Sequence, residues 1–479
     1  MSDDILWLTI SQLAELLRDR KISSLELTKA SLARLEKLGP RYNALATLTA
    51  PLAIRRAKDA DDNFKRNRVR SPLQGIPYGA KDLLAAKGIP TTWGAQPYAS
   101  QVFDFDATVI RKLERAGAAL AAKLAMVQLA GGGGYRYPSA SMFGPCKNPW
   151  NPAYWAGGSS SGSAAAVAAA LVPFAIGSET WGSILTPASY CGVTGLRPTY
   201  GLVSRYGAMA LSWTMDKIGP LCRSAEDCGL VLRVIAGKDS QDPASSGKSF
   251  YYLPEYGRPL SELRIGYAPL DFTERAAESA RPAFQNALGL FGRLGPKMVE
   301  ISLPSMPYRA AADAIIQAEG SSVFESLIQS EKFDQMPDER QKEGLRAGLH
   351  MLAKDYIRAM RIRRRVQEKM RELFTQVDLI LSYSTPGPAS GLDEPLDRRR
   401  ESPPATAGVE NRGNADLGAA GNLAGLPALS LPCGFTPDNL PIAVQLVGRP
   451  FDELTLIALG REFQKQTDWH KKRPALLAE

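Results

Sequence analysis

Short apolar segments alternate with alanine-rich helical segments from residue 74 onward, and this alternation constrains the fold more than any other feature of the sequence. Residues 75–81 and 118–123 have the length and composition of buried strands, and a helical pattern at 107–116 lies between them. Alternating strands and helices are typical of an α/β protein with a largely parallel or mixed sheet. We therefore expect a central mixed sheet surrounded by helices.

The 479 residues divide into four regions, which we expect to form a single domain over 1–479. Residues 1–65 indicate helices, and residues 66–240 hold a core of alternating strands and helices. Residues 241–376 are mostly helical, and we interpret them as a cap over the sheet rather than a separate domain. Residues 377–479 return to the core. Local signals within these regions are a capping box at Ser23-Ser24-Leu25-Glu26, strands at 377–386, 428–433 and 442–447, a proline-rich loop over 385–413 and a terminal helix.

The net charge of +9, from 58 basic and 49 acidic residues, raises the question of a nucleic-acid partner. Basic residues are densest at 358–365 and 398–400. The first cluster has a helical pattern, and Glu368 and Glu372 follow it closely. Opposite charges at such spacings are typical of a solvated helix face. We expect no nucleic-acid partner.

The five cysteines are odd in number and contain no C-x-x-C pair, so the sequence predicts reduced, buried thiols rather than disulfides or a zinc ribbon. The N-terminal residues are acidic, which is unlike a signal peptide. The longest apolar stretch, 164–176, has 13 residues and is too short to cross a bilayer. These features predict a cytoplasmic protein without a membrane partner.

The sequence contains two histidines, His350 and His470, and this scarcity excludes much familiar catalytic chemistry, including an H-E-x-x-H zinc site. Residues 158–162 fit G-x-S-x-G, the nucleophile elbow of α/β-hydrolase esterases. That motif needs a strand before it, whereas residues 151–156 have the composition of a loop. An esterase of this kind is one alternative, and we expect both histidines to be surface residues.

A glycine- and serine-rich run at 157–163 leads directly into the apolar small-residue segment 164–170, which favours tight burial rather than a flexible linker. Ser159 lies in this run, and Ser183 ends a second segment at 177–183. A serine hydroxyl needs a neighbouring base to act as a nucleophile. Without histidine, the neutral amine of Lys81 could supply it, because Ser-Lys arrangements are a known variant of the catalytic triad.

Three segments together resemble the amidase signature family. They are 75–82 around the lysine, 157–163, and 177–187 continuing into 191–199. The separation of 24 positions between Ser159 and Ser183 matches the family spacing, and the likeness extends over about 20–465. The resemblance implies one large domain with a mixed, mostly parallel sheet wrapped by helices.

The resemblance also implies roles for individual residues. Ser183 corresponds to the nucleophile, Ser159 to a bridging serine that follows a cis peptide in the family, and Lys81 to the base. Neither a metal nor an organic cofactor is implied. The backbone amides implied as the oxyanion hole are those of Thr180, Trp181 and Gly182.

The segment around the nucleophile departs from the family pattern D-x-G-G-S-I-R. Glu179 replaces the aspartate, Trp181 replaces a glycine, and Leu185 replaces the arginine that pairs with the acid in the family. We expect Glu179 either to be buried with a raised pKa or to find another donor. Trp181 is expected to form a pocket wall on which an aromatic substrate could stack.

A glycine run at 131–134 stands where family members often carry a methionine and small polar residues. The missing side chains are expected to widen the pocket for bulky or aromatic substrates: amides, anilides, carbamates or esters, as for an aryl acylamidase or a urethanase. The residues predicted to bind the substrate are Ala130, Gly131, Gly132, Tyr135 and Trp181.

Three functions stay open beside the esterase. Residues 198–207 and 422–427 are similar to the A subunit of glutamyl-tRNA amidotransferases, a glutaminase that works with a tRNA-binding partner. Asp416 lies near the position of an expected acidic substrate contact, shifted by one residue. We favour a stand-alone hydrolase, a monomer or homodimer, with a small-molecule amide or carbamate substrate. A catalytically idle binding protein is the third possibility.

Overall fold

A computed structural model describes residues 3–253, 255, 257–396 and 413–476 of the chain. The basic cluster at 398–400 and most of the second half of the proline-rich loop lie outside these described residues. The extent of the single predicted domain therefore stays a prediction.

The described strands join into one eleven-stranded sheet, flanked by helices, which confirms the predicted α/β fold. The strands are β1 Leu45–Leu48, β2 Pro77–Lys81, β3 Ala119–Leu124, β4 Phe174–Glu179, β5 Thr194–Arg197, β6 Lys217–Cys222, β7 Arg264–Tyr267, β8 Lys297–Glu300, β9 Leu379–Tyr383, β10 Ala428–Phe435 and β11 Pro441–Gly448.

The strand order across the sheet is β1-β3-β2-β4-β6-β5-β10-β11-β9-β7-β8. Within the described chain, four of the ten pairings are parallel and six are antiparallel, so the mixed sheet is confirmed but its predicted parallel majority is wrong. A tight turn, which can join antiparallel strands alone, accounts for the β10–β11 pair. The other antiparallel pairs join strands separated by longer stretches of chain, and no local pattern predicts their direction.

Helices cover the sheet and begin where the local signals predict. The capping box at Ser23 is present, with the Glu26 side chain accepting from the Ser23 amide. The described α-helices are α1 Ile10–Arg18, α2 Ser24–Leu38, α3 Ala50–Lys65, α4 Thr108–Arg115, α5 Ser161–Ala168, α6 Leu185–Cys191, α7 Ala225–Ile235, α8 Arg281–Arg293, α9 Tyr308–Val323, α10 Glu325–Ile328, α11 Glu339–Leu349, α12 Ala353–Gln376, α13 Leu417–Ala424 and α14 Glu453–Lys465.

Two regions predicted as helical also contribute strands. Region 1–65 contains β1, which pairs antiparallel with β3. Region 241–376 contains β7 and β8, which extend the far edge of the sheet through parallel pairing. Each of these strands has four residues and is not fully buried, so it lacks the continuous apolar run that made the inner strands recognisable.

The glycine- and serine-rich run enters a fully buried helix, as its apolar continuation predicted, because every residue of α5 is buried. A Cβ atom at Gly162 would lie 2.5 Å from the Ala44 carbonyl oxygen and 2.7 Å from backbone atoms of Ala125. Only glycine allows this approach. The start of α5 is thereby packed against the end of β3, which fixes the preceding Ser159 and Ser160 beside the sheet.

Other composition-based expectations can be compared with the described residues. All five cysteines are buried and unpaired. None of the described helices is long and apolar enough to span a bilayer.

The basic cluster 358–365 lies in α12, where Arg364 pairs with Glu368 on an exposed face, but Arg363 donates to the carbonyls of Thr214 and Leu423. That arginine therefore connects α12 to the core.

Gly344 in α11 provides a test of this packing, because an added Cβ would overlap the carbonyl oxygen of Gly133. Gly344→Ala is expected to lower the free energy of unfolding by about 1–3 kcal/mol through overpacking. The matched control Gly289→Ala lies on an exposed face of α8, where an added Cβ would make only an ordinary 3.5 Å contact with Arg293 Nη1. It should be neutral or stabilising by about 0.5–1 kcal/mol. Urea denaturation measures both; equal effects would contradict the close packing of α11 on the glycine run.

Candidate active site

The side chains of Lys81, Ser159 and Ser183 form a continuous hydrogen-bonded chain. Lys81 Nζ donates to Ser159 Oγ at 2.8 Å, and Ser159 Oγ donates to Ser183 Oγ at 3.0 Å. Their exposed fractions are 0%, 1% and 8%. The structure thus brings together three residues that the sequence separates by about a hundred positions, with Ser183 the most accessible of them.

The topology of the sheet explains why Lys81, Ser159 and Ser183 lie together. β2 and β4 are parallel neighbours, so Lys81 at the end of β2 and Glu179 at the end of β4 lie at the same edge of the sheet. Ser183 follows in the turn after β4. Ser159 enters from the segment before α5, and the Gly158–Ser159 peptide bond is cis.

Ser160 joins the two serine segments through backbone contacts. Its amide donates to the Ser183 carbonyl oxygen at 3.2 Å, and its hydroxyl donates to the Ser178 carbonyl oxygen at 3.1 Å. Ser160 is the central serine of G-x-S-x-G, but it follows a loop rather than a strand. His350 is exposed at the end of α11, and His470 lies near the C-terminus. The esterase interpretation is therefore wrong, because the strand-to-turn geometry that it requires is missing.

Burial lowers the pKa of the Lys81 ammonium to about 7, although the charges of Asp216 and Glu179 act in the opposite direction. The next residue, Asp82, forms a 2.9 Å ion pair with Lys123 instead. Successive side chains of a strand point to opposite faces, which separates Asp82 from the Lys81 amine. Within the described residues, the other side chain that Lys81 Nζ contacts is Ser178, at 2.9 Å.

Glu179 closes the turn that carries Ser183. One carboxylate oxygen accepts from the amides of Ile184 and Leu185, at 2.9 and 3.1 Å. The left-handed conformation of Gly182, with φ of 81°, lets the chain reverse between the two ends of this bridge. The position of Ser183 is consequently set from both sides of the turn.

Arg197 at the end of β5 is the partner of Glu179, with Nη1 2.7 Å from Oε1 and both side chains fully buried. Asn422 Nδ2 donates to the same oxygen at 3.0 Å. Burial alone raises the pKa of the Glu179 carboxyl, but the charges of Arg197 and Lys217 and the hydrogen bonds outweigh it and lower the pKa to about 2. The expected second donor therefore exists, and the alternative of a raised pKa is wrong.

The amides of Thr180, Trp181 and Gly182, predicted as an oxyanion hole, lie between Glu179 and Ser183. In the part of the chain that the structure describes, none of these three N–H groups donates to a protein acceptor. Free amides ahead of a nucleophile can stabilise negative charge that develops on a substrate carbonyl oxygen. They are available for that task.

A cavity of about 190 Å³ reaches this turn at Thr180, while Trp181, Gly182 and Ser183 are not among its lining residues. Ala130 lines it, as predicted, and its left-handed backbone, with φ of 53°, is a strained conformation beside the cavity. Ser178 and Thr180 also line it. The other lining residues include Leu83, Arg205, Met209, Leu211, Trp213, Asp216, Lys217 and Ile218.

Three of the four glycines at 131–134 leave no room for a substrate, so the expected widening of the pocket is wrong for Gly131, Gly132 and Gly133. A Cβ at Gly131 would overlap the ring of Tyr135, and one at Gly132 would lie 2.8 Å from Leu211 Cδ1. Gly133 packs against α11 in the same way. Neighbouring side chains and a helix occupy the space beside Gly131, Gly132 and Gly133, so these three glycines permit close packing. The space beside Gly134 is open.

The aromatic residues of the prediction lie in different surroundings. Tyr135 makes an edge-on contact with Trp155, with ring centroids 6.1 Å apart. Trp181 is partly buried and packs beside Gly418 of α13. Its proposed role as an aromatic pocket wall stays a prediction. Asp416, at the start of α13, pairs with Arg309 at 2.6 Å.

Several residues of the site were not predicted from the sequence. Ser178 lies in the segment 177–183, but nothing in the sequence distinguished it from a core residue. Asp216 and Lys217 carried a usable signal, because two adjacent charges open an otherwise apolar buried strand. The partnership of Glu179 with Arg197 and Asn422 had no local signal, since Asn422 is 243 residues away.

Comparisons with known proteins extend over nearly the whole chain. A family model described as Amidase matches residues 26–457. The A subunit of the glutamyl-tRNA(Gln) amidotransferase of Methylococcus capsulatus is 36% identical over 498 residues, covering 98% of this chain and 99% of the relative. A chain from a vestigial protein complex related to the origins of an s-triazine catabolic enzyme has a TM-score of 0.84 at 29% identity, covering 96% and 98%. The peptide amidase of Stenotrophomonas maltophilia has a TM-score of 0.82 at 28% identity, covering 98% and 99%.

The low pKa of Glu179 predicts acid sensitivity. A carboxyl whose pKa is lowered on folding stabilises the protein above its unfolded pKa of about 4.5, and this contribution disappears as the pH falls towards 2. The free energy of unfolding of the wild type should therefore fall by about 3 kcal/mol more than that of Glu179→Gln over this range. Urea denaturation at successive pH values measures the difference, and parallel pH profiles would contradict it.

Proposed function

The chain belongs to the amidase signature family, as its three motifs predicted, and on that basis we propose that it is a stand-alone amide hydrolase that works through an acyl-enzyme on Ser183. Membership makes it an enzyme that hydrolyses carbon–nitrogen bonds. The observation that carries the proposal is the unbroken hydrogen-bonded chain from Lys81 through Ser159 to Ser183.

In the proposed reaction, the neutral Lys81 amine takes the proton of Ser159 as Ser159 takes the proton of Ser183. Ser183 Oγ then forms a bond to the substrate carbonyl carbon, and the carbonyl oxygen becomes negative. In this proposal, the amides of Thr180, Trp181 and Gly182 stabilise that charge. The proton returns through Ser159 to the leaving nitrogen as the carbon–nitrogen bond breaks, and water, activated by the same relay, then hydrolyses the ester.

The environment of Lys81 supports its role as the base. An amine with a pKa near 7 is half neutral at physiological pH, which suits a general base. The buried Asp82–Lys123 pair keeps the adjacent carboxylate away from Lys81, so the amine is not fixed in its charged form. The deprotonated amine can accept a proton from the hydroxyl 2.8 Å away.

The cavity supports a substrate with a compact apolar group. Its walls include Leu83, Met209, Leu211 and Ile218, and its volume of about 190 Å³ is close to that of a site for one aromatic ring. We therefore narrow the proposed substrate to amides, anilides or carbamates that carry a single ring or a group of similar size.

A glutaminase subunit of a tRNA-dependent amidotransferase is the second candidate. The observation that favours it is the full-length match to the amidotransferase subunit of Methylococcus capsulatus. The charged side chains in the lining already have protein partners: Arg205 pairs with Asp242, Asp216 accepts from Thr180, and Lys217 donates to Asn422. The rest of the wall is mostly apolar, which favours the stand-alone hydrolase because glutamine is a small zwitterion. Glutamine hydrolysis that depends on a co-expressed amidotransferase partner would support the second candidate and overturn the first.

Lys81→Ala is expected to lower kcat/KM for 4-nitroacetanilide by about 100- to 10,000-fold at neutral pH, the usual contribution of a general base. In the wild type, kcat/KM should rise with pH and level off above about 7, since only the neutral amine accepts a proton. The exposed control Lys354→Ala should keep wild-type kinetics. Near-wild-type turnover by Lys81→Ala would overturn the relay.

Absence of fluorophosphonate labelling at Ser183 would overturn both enzyme proposals and favour an idle binding protein.

Leu211 is expected to limit the size of the bound group. Its Cδ1 fills the space beside Gly132 and Gly320 while the residue lines the cavity. Leu211→Ala should raise the kcat/KM of a larger anilide relative to 4-nitroacetanilide by about 10-fold. The larger group is placed first on the acyl side and then on the amine side, so the ratio that rises identifies which group occupies the cavity.

The matched control for this change is Leu459→Ala, which removes an equally buried leucine from α14. It should lower stability by about 2–5 kcal/mol without altering either ratio. If neither ratio changes in Leu211→Ala, the cavity does not hold the substrate.

A further inference from the structure

Asp216 and Lys217, adjacent at the start of β6, contact Thr180 from two directions. We propose that they are positioning residues that orient the Thr180–Trp181 peptide so that its N–H can serve in the oxyanion hole. This inference rests on the proposed function, because it assigns a task within that same site. Neither residue belongs to the relay of Lys81, Ser159 and Ser183.

Asp216 holds the side chain of Thr180. The Thr180 hydroxyl donates to Asp216 Oδ1 at 2.6 Å. The other carboxylate oxygen accepts from the amides of Leu211 and Ser212, at 2.8 and 2.9 Å. Because those amides belong to the loop that lines the cavity, Asp216 couples Thr180 to the wall that faces the substrate.

The loop itself is fixed by a second buried carboxylate. Glu319 of α9 accepts from the Ser212 hydroxyl and from the Thr214 amide, and Tyr356 of α12 donates to it at 2.8 Å. The anchor of Asp216 is thus rigid, which a residue that positions another group requires. Motion of this loop would otherwise be passed directly to Thr180.

Lys217 holds the main chain of Thr180. Its Nζ donates to the Thr180 carbonyl oxygen at 3.3 Å and to Asn422 Oδ1 at 2.7 Å. In a trans peptide, the carbonyl and the following N–H point in opposite directions. A donor fixed on the Thr180 carbonyl therefore turns the Trp181 N–H away from Lys217, and no acceptor among the described residues occupies that N–H.

The surroundings of Lys217 indicate that this contact is more than packing. Lys217 is 2% exposed, and no carboxylate of the described residues lies within ion-pair distance of its Nζ. Burial lowers the pKa of the Lys217 ammonium well below its ordinary value. Burying an amine in this way is costly, and an apolar side chain of the same length would avoid that cost. The Lys217 amine donates to the Thr180 carbonyl and to Asn422, and Asn422 in turn donates to Glu179. Both ends of the turn that carries Ser183 are therefore connected through Lys217.

Paired substitutions at Thr180 separate orientation from packing. Thr180→Val keeps the volume and loses the hydroxyl, whereas Thr180→Ser keeps the hydroxyl and loses the methyl group. A positioning role predicts that valine is harmful and serine is tolerated; a packing role predicts the reverse. Lys217→Met removes the donor to the carbonyl while keeping the length of the side chain.

The measurement is the rate of Ser183 labelling by a fluorophosphonate in the full-length protein, since the phosphonyl oxygen uses the same amides as a substrate oxyanion. Thr180→Val and Lys217→Met are expected to slow labelling by about 10- to 100-fold, as for a misplaced catalytic group. Thr180→Ser should stay within about 3-fold of the wild type. The control Thr194→Val removes a buried threonine hydroxyl bond at β5, outside the turn, and should also stay within about 3-fold.

The outcomes distinguish failure of this inference from failure of the proposed function. If the wild type is labelled at Ser183 and Thr180→Val is labelled at the same rate, this inference is overturned and the proposed function stays intact. Slower labelling in Thr180→Ser than in Thr180→Val also overturns it, because packing would then explain the effect. No labelling of wild-type Ser183 overturns the proposed function itself. An unchanged rate in folded Lys217→Met overturns the role assigned to Lys217. If Lys217→Met fails to fold, the Thr180 pair still decides whether Asp216 positions this peptide through the Thr180 hydroxyl.

Discussion

The buried ion pair between Glu179 and Arg197 holds together the part of the protein that carries the nucleophile. Glu179 ends β4, Arg197 ends β5, and the same carboxylate accepts from the first amides of α6 and from Asn422 of α13. A charge buried this deeply is tolerable only when its partners satisfy it. Four donors do so, and the turn between Glu179 and α6 has little freedom left.

The three buried lysines around the site have different partners, although burial lowers the pKa of each of them. Lys123 has a full counter-charge in Asp82, and it is structural. Lys81 has hydroxyl partners, Ser159 and Ser178, so burial lowers its pKa towards neutrality. Lys217 has a carbonyl and an amide oxygen. These differences in partners, rather than in residue type, separate the three lysines chemically.

How far the sequence predicts this site depends on how local the relevant signal is. Lys81, Ser159 and Ser183 each stand in a recognisable segment, and the scarcity of alternatives made them identifiable in a chain with two histidines. Asp216 and Lys217 were visible as charges in an apolar strand, but their target, Thr180, was not. The glycine run was misinterpreted because an absent side chain says nothing about what fills its place. Leu211, Tyr135 and α11 fill it.

Local sequence patterns were sufficient for the α/β class, the α2 capping box, the buried helix that follows the glycine- and serine-rich run, and the family. These follow from periodicity, caps and short motifs, which act between residues close in the chain. The balance of parallel and antiparallel pairing, the edge strands β1, β7 and β8, the partner of Glu179 and the size of the cavity became known from the folded chain alone. Each of these depends on contacts between segments far apart in sequence, and a local pattern does not encode which distant group arrives to satisfy a buried charge or fill a space.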